Sequence, residues 1–234
     1  MKLISIILAR GGSKGIPNKN LIDFCGKPLI QWTVDTCKNS GIDSIWVSSD
    51  SEEILNTSKK LGVNIIKRPV NLSSDQATSE IAWEHAINEI EKKNIDFDWI
   101  LAPQVTSPFT EKKDLKNAIK KIKSSQYDSL FSCSPVDDLL MWQYSGSEFK
   151  PLNYNSNRRK RRQENQKQFI ENGAFYIFRK KLFLENKNRF SGRIGVVEMD
   201  KWKFHEIDEI DDIKICSVLM KELIIKKQIN ENKN

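Results

Sequence analysis

Short apolar runs of strand length alternate along this chain with segments whose apolar residues recur at helical spacing. That alternation is its strongest constraint. Leu3–Leu8, Ser44–Ser49, Val63–Ile66, Trp99–Leu101, Ser129–Cys133 and Ala174–Phe178 read as strands. Leu29, Ile30, Val34 and Cys37 recur at helical spacing and stop before Gly41, and Glu52–Leu61 is a short helix ended by Gly62. Ala82, Ala86, Ile87 and Ile90 mark another helix, and Leu115, Ala118, Ile119 and Ile122 the next. Ile213–Ile225 is a final helix, followed by a polar tail over 227–234 whose end, Asn230–Asn234, is expected to fray. Strands separated by helices predict an α/β fold: a doubly wound, mostly parallel sheet covered on both faces. The chain reads as a single domain, 1–234. Its segment 136–171 breaks the alternation, being polar, basic and poor in periodic apolar positions, and is expected to be a flap or insertion carrying oligomer contacts.

Composition bounds the partners. With 38% hydrophobic residues in 234, the chain has enough apolar side chains for a core. No run approaches a membrane span. Met1–Leu8 runs into Arg10 and Lys14 without a small-residue cleavage site, so it is expected to be a first buried strand. Cys25, Cys37, Cys133 and Cys216 are scattered without a C-x-x-C pair, which points to reduced thiols and a cytoplasmic protein. His85 and His205 are the only histidines, which argues against a zinc site. The net charge of +7 favours acidic partners: a nucleotide, a nucleic acid or a membrane surface. Its densest cluster is Arg158–Arg162, by itself a solvated or nucleic-acid-binding run. No aromatic residues interleave with those charges, so no stacking platform for single strands is visible.

In doubly wound sheets, ligands bind at the carboxyl ends of the strands, and the polar clusters of this chain fall there. Ala9-Arg10-Gly11-Gly12-Ser13-Lys14-Gly15-Ile16-Pro17 follows the first strand, with Lys19 and Asn20 behind it. Glycines bring backbone N–H groups close to anionic oxygens, and Arg10, Lys14 and Lys19 supply countercharge. The spacing matches neither a P-loop nor the dinucleotide fingerprint, and alone it is equally that of a solvated surface turn. Ser48-Ser49-Asp50, Arg68-Pro69 and Gln104-Val105-Thr106-Ser107-Pro108 end three further strands. Four polar loops on one sheet edge make a site.

These motifs continue in order through Leu72 and Asp75, Arg162-Gln163, Asn172-Gly173-Ala174-Phe175-Tyr176, and Glu206-Ile207-Asp208 followed by Asp211-Asp212. The ordered set, from residue 6 to about 212, resembles the acylneuraminate cytidylyltransferases (CMP-sialic acid synthetases), including legionaminic and pseudaminic acid members. The resemblance implies a Rossmann-like nucleotidyltransferase fold with a small dimerisation insertion, a homodimer, and dependence on Mg²⁺. It implies that CTP and a nonulosonic acid give the CMP-sugar and pyrophosphate. In that reaction the anomeric hydroxyl attacks the α-phosphate.

Carried over residue by residue, Arg10 and Lys19 face the triphosphate, with Ser13 and the amides of Gly11 and Gly12 cradling phosphate oxygens. Lys14 is either a further cation or solvated. Asn20, Arg68 and Ser79 fall near the nucleotide; Arg68 is alternatively a surface arginine before a Pro turn. Glu206 and Asp208 are the expected Mg²⁺ ligands, two apart and on one face if they lie on a strand. Glu206 stands where sialic-acid enzymes carry Asp. Asp211 and Asp212 are either further ligands or N-terminal charges on the last helix. Arg10, Lys19 and Asp208 form the expected catalytic set, and no histidine is an evident base. Gln104, Arg162 and Tyr176 map to the sugar, where an arginine suits a carboxylate and Gln104 suits hydroxyls and an acyl amide. Met141-Trp142 replaces a lysine of sialic-acid members, so Trp142 would offer a more apolar wall, suited to legionaminic or pseudaminic acid. Two rivals remain: transfer to a Kdo-type acid or sugar phosphate, and nucleic-acid binding through the arginine run.

Overall fold

Side-chain alternation along the first strand sets up both layers of the molecule. In β1 (Leu3–Leu8), Leu3 and Ile7 enter one apolar cluster while Ile4 and Ile6 enter another on the opposite face. A strand buried on both faces reads as a near-continuous apolar run, here interrupted only by the buried Ser5, which is why it was legible. The computed structural model describes residues 1–124, 126–137, 139–164 and 166–231.

Six further strands join β1: β2 (Ser44–Ser49), β3 (Asn64–Lys67), β4 (Trp99–Pro103), β5 (Ser129–Val136), β6 (Gln168–Arg179) and β7 (Ile194–Glu198). Their order across the sheet is β7-β5-β6-β4-β1-β2-β3. Only β6 runs antiparallel to its neighbours β4 and β5; every other pairing is parallel. The expected α/β, mostly parallel sheet is therefore present. The strand β7, short and glycine-containing, was not foreseen.

Helices cover both faces, as expected. The helices α1 (Leu29–Lys38), α2 (Glu52–Lys60), α4 (Lys112–Ser124) and α6 (Ile210–Leu219) contribute to the first cluster. The second gathers α3 (Ser79–Glu91) and the unforeseen α5 (Lys180–Asn186) through Trp83, Ala86, Ile87, Ile90 and Phe183. Side-chain oxygens of Ser51 and Thr78 cap α2 and α3. Beyond α6 the chain runs through a π-helical turn, Met220–Ile225, into a last helical stretch, Lys226–Glu231. The polar tail from 227 is thus helical to 231, into the stretch Asn230–Asn234 expected to fray, as a continuation of the turn whose Met220 and Ile224 are buried against the core; residues 232–234 lie outside the described residues.

The interruption expected over 136–171 is narrower in the sheet. Gln168–Glu171 pair antiparallel with Val136–Cys133, so both ends of that segment belong to β5 and β6. Between them lie a hairpin, Trp142–Tyr144 with Phe149–Pro151, and two short 3₁₀ turns.

From β1 the chain builds outward through β2 to β3, then crosses to β4 on the other side of β1. Such a reversal of strand order opens a crevice at the carboxyl ends of β1 and β4.

Candidate active site

The loop leaving β1 is folded back on itself. Asn20 donates from Nδ2 to the Arg10 carbonyl at 2.9 Å, fastening the end of the loop to its start. The Gly11 amide donates to Asp50 Oδ1 at 2.9 Å, so it is committed to the end of β2 rather than free to cradle a phosphate. Gly15 lies against the Asp208 carbonyl oxygen, where any Cβ would collide with backbone. Glycine at that position lets the loop and the acidic segment approach each other. Gly12 faces open space.

A cleft of ≈ 390 Å³ opens at this edge, within the usual range for small-molecule sites. Arg10, Ser13, Lys19, Asn20, Arg68, Ser79 and Gln104 all line it. The structure therefore brings together most of the residues expected at the nucleotide, together with Gln104. Arg68 is only 4% exposed, which excludes the surface-arginine alternative. Its Nε donates to Ser73 Oγ at 2.8 Å, and its amide donates to the Ser49 carbonyl at 2.8 Å. Burial lowers its pKa from the ordinary arginine value, with Asp50 opposing and Arg10 adding to the shift. A guanidinium remains charged through such a change. Ser79 opens α3 just after the Thr78 cap, placing the helix's first amides beside the cleft, where a dipole favours anions. Trp83, one turn further on, also lines the cleft, and its buried indole N–H has no partner. It escaped sequence reading because it lies within an ordinary apolar helix stripe.

Lys19 is 13% exposed and its Nζ lies 2.8 Å from Asp208 Oδ1. Residues 205–208 form no strand, so the condition for Glu206 and Asp208 sharing a strand face is not met: the stretch is an irregular connection, tied by the Ile207 amide to the Thr106 carbonyl at 2.8 Å. Ile207 is buried in the core, and Glu206 and Asp208 flank it. Glu206 Oε1 accepts from Ser107 Oγ at 3.1 Å. Burial raises the Glu206 pKa, Ser107 opposes that, and the Asp208 charge adds to it. Gly173, with φ +65°, sits where the pairing of β6 with β5 shifts register between Glu171 and Tyr176. A Cβ there would overlap the Glu206 carboxylate and come within 3.2 Å of Gln104 Oε1. The bulge thus seats Glu206 beside the Gln104 strand end.

Mg²⁺ takes one or two protein carboxylates and completes its octahedron with phosphate oxygens and water. Asp208, 64% exposed with Lys19 on one oxygen, and Glu206 have the chemistry of that donor set. Among the described residues no group of three or more His, Cys, Asp or Glu gathers into an all-protein cage. Asp212 has the other role foreseen for it: its Oδ2 accepts from the amides of Asp208 and Glu209 at 2.9 and 2.8 Å, capping α6. Those bonds hold its carboxyl below the usual range. Asp211 pairs with Lys214 at 3.2 Å.

The sugar candidates are less gathered. Tyr176 points into the second cluster, edge-on to Trp83 at 6.3 Å, and its hydroxyl donates to Glu171 Oε1 at 2.5 Å. It sits behind a cleft residue rather than in the cleft wall. Trp142 is on the hairpin, 51% exposed against Tyr154, and does not line the cleft. Arg162 falls in a short 3₁₀ turn; its side chain lies outside what the structure describes. Arg158–Arg161 are exposed. All four cysteines are free, and burial pushes the Cys37 and Cys216 thiols up to about 12, leaving them inert.

Sheet order, switch-point cleft and cationic lining define an α/β protein with a site suited to an anionic, phosphate-bearing ligand. Residues 4–231 match the sequence model of the family described as Cytidylyltransferase, and the chain belongs to that family. It is 34% identical over 229 residues to the pseudaminic acid cytidylyltransferase of Campylobacter jejuni subsp. jejuni serotype O:2, covering 94% of this chain and 97% of that protein. Against the N-acylneuraminate cytidylyltransferase of Streptococcus agalactiae serotype III it is 32% identical over 237 residues, 99% of this chain and 56% of the relative. Among solved structures it resembles CMP:2-keto-3-deoxy-manno-octonic acid synthetase complexed with CTP, with a TM-score of 0.71 at 17% identity, over 95% of this chain and 99% of that one. At that identity the likeness is one of fold. Among the described residues no helix is long and apolar enough to cross a membrane.

Proposed function

We propose that the enzyme transfers the cytidylyl group of CTP to the anomeric hydroxyl of a nonulosonic acid, releasing pyrophosphate. The observation that carries this reading is the gathering of Arg10, Lys19, Arg68, Ser79 and Gln104 in one switch-point cleft, with Asp208 joined to it through Lys19 and Glu206 seated beside the Gln104 strand end. The sugar hydroxyl oxygen forms a bond to the α-phosphorus as the bond to the bridging pyrophosphate oxygen breaks. The hydroxyl proton leaves to water. Arg10 and Lys19 neutralise the charge that grows on the departing pyrophosphate. The first amides of α3 and Ser79 take phosphate oxygens, Arg68 donates to the base or ribose, and Gln104 orients the sugar. Mg²⁺, held by Asp208 and Glu206, would supply Lewis-acid neutralisation of phosphate charge.

The relative named for pseudaminic acid is similar over nearly the whole chain, which favours an acid of that type. Pyrophosphate release is measured with CTP, Mg²⁺ and a panel of pseudaminic, legionaminic, N-acetylneuraminic and Kdo acids. The expected outcome is turnover with a pseudaminic- or legionaminic-type acid, abolished by chelator and restored by Mg²⁺. No product with any of the panel, from folded protein, sinks the proposal.

The hairpin exposes Met141, Trp142, Tyr144, Phe149 and Leu152 together, a patch that a second copy would cover in the proposed homodimer. Trp142→Arg with Phe149→Glu is expected to yield a monomer by light scattering. A wild-type chain that is itself monomeric at micromolar concentration rules the dimer out. The free thiols agree with a reducing cytoplasmic location.

A further inference from the structure

Two of the cations in this cleft region are already held by an anion of the protein's own. Arg10 Nη1 lies 2.8 Å from Asp75 Oδ1, and Lys14 Nζ lies 2.8 Å from Asp75 Oδ2. One carboxylate thus bridges both side chains, one oxygen to each, as two oxygens of a phosphate would. The segment that carries it, 69–78, leaves the end of β3, passes through a 3₁₀ turn (Val70–Ser73) and ends at the cap of α3. It is tethered at its base by Arg68 to Ser73, and at its tip Ser74, Asp75 and Gln76 are exposed. The tip is turned by local hydrogen bonds, Ala77 amide to Ser74 carbonyl at 3.1 Å among them, and its contacts across to the loop after β1 include the two ion pairs. Hydrogen bonds from Lys14 and then Arg10 hold the Asp75 carboxyl below its usual range, so it is charged at neutral pH.

We propose that Asp75 is an internal counter-anion that guards the polyphosphate subsite, occupying Arg10 and Lys14 until a ligand bearing two or more linked phosphates displaces it. The proposal rests on the reading of this cleft as a CTP site. A single carboxylate brings one negative charge to two cations. A nucleoside monophosphate brings little more and places it nearer the nucleoside. A pyrophosphate or triphosphate brings several charges, spaced to meet both cations, and outcompetes the carboxylate. The cleft thereby distinguishes CTP from CMP by charge count as well as by shape. Return of Asp75 to the cations after transfer helps pyrophosphate leave.

The test is calorimetric titration of CTP, pyrophosphate and CMP, in chelator, into the wild-type protein and Asp75→Asn. Melting curves show that the variant is folded. Asp75→Asn is expected to bind CTP and pyrophosphate about tenfold more tightly, the release of two exposed ion pairs, with CMP changed by less than about twofold. In a Lys14→Ala background the gain is expected to shrink, since one of the two pairs is already gone. Equal or weaker CTP binding by the variant overturns the guard while leaving the cleft reading intact. Tightening of CMP as strong as that of CTP overturns the charge-count role. Failure of both proteins to bind CTP overturns the cleft reading, and the guard with it.

Discussion

Replacing Arg10 by alanine is expected to lower kcat/KM for CTP by about 10²–10³-fold, the usual cost of removing one preorganised group from a site of developing negative charge. The substitution is unusually clean. The Arg10 side chain is 37% exposed and its ion-pair partner is Asp75, whereas its fold-bearing contact is the backbone carbonyl that accepts from Asn20. That bond survives the change, so the loop keeps its shape and the melting temperature is expected to stay within a degree or two, as for an ordinary surface substitution. Lys19→Ala is a poorer probe, because Lys19 is mostly buried and also neutralises Asp208. Steady-state pyrophosphate release with a saturating sugar acid measures the effect. Activity within tenfold of wild type would show that Arg10 does not face the triphosphate.

The parts of the fold that were legible are those where local pattern and burial agree. The strands β1 and β2 were read to the residue because each centres on consecutive apolar residues and ends at a polar loop. The ends of β5 and β6 were not, since Ser134, Glu171 and Asn172 are polar and yet lie in the sheet. The reversed direction of β6 had a signal that went unused. No helix-like stripe separates it from β5, and a strand pair without a crossover helix is antiparallel. β7 was missed for a different reason: Gly195 within it leaves no side chain, and a Cβ there would collide with Leu130 and Tyr127.

The site was legible where function sits at strand ends and opaque where it depends on packing. Arg10, Lys19, Arg68 and Gln104 could be placed because each follows a readable strand, and the fold brings those ends to one cleft. Nothing in the spacing shows that the Gly11 amide is taken by Asp50, or that one aspartate bridges Arg10 and Lys14 across 65 and 61 positions of sequence. Nor does the sequence disclose that Tyr176, on a strand buried on both faces, turns its ring into the core while its hydroxyl binds Glu171. The direction of a side chain near a bulge depends on register, and Gly173 shifts it.

A second large effect lies away from the cleft. Lys203→Met is expected to destabilise the protein by about 3–5 kcal/mol, the range for breaking a buried ion pair from one side. The Lys203 side chain is 0% exposed, and its Nζ donates to Asp114 Oδ2 at 2.5 Å and to Glu111 Oε2 at 2.6 Å. Asp114 Oδ2 also accepts from the Glu111 amide at 2.9 Å, so the lysine ties the start of α4 to the 3₁₀ turn Lys201–Phe204. That turn leads directly into Glu206 and Asp208, and its fixation holds the acidic segment against the core. Methionine fills much of the same volume, so the loss is chiefly electrostatic: the buried Asp114 carboxylate loses its cation, and Glu111 is left with Lys113 alone at 3.2 Å. The sign of the pH dependence follows. In the variant those carboxylates are strained only while ionised, so the deficit relative to wild type is largest near neutral pH and shrinks as falling pH protonates them. Thermal melts of both proteins from pH 7 to pH 4 measure it, with a drop on the order of 10 °C expected at neutral pH for a domain of this size. Adding Asp114→Asn to Lys203→Met should recover part of the loss, since the amide keeps the acceptor for the Glu111 N–H without the charge. A deficit that is independent of pH and unrelieved by the second substitution would mean that Lys203 contributes through packing alone.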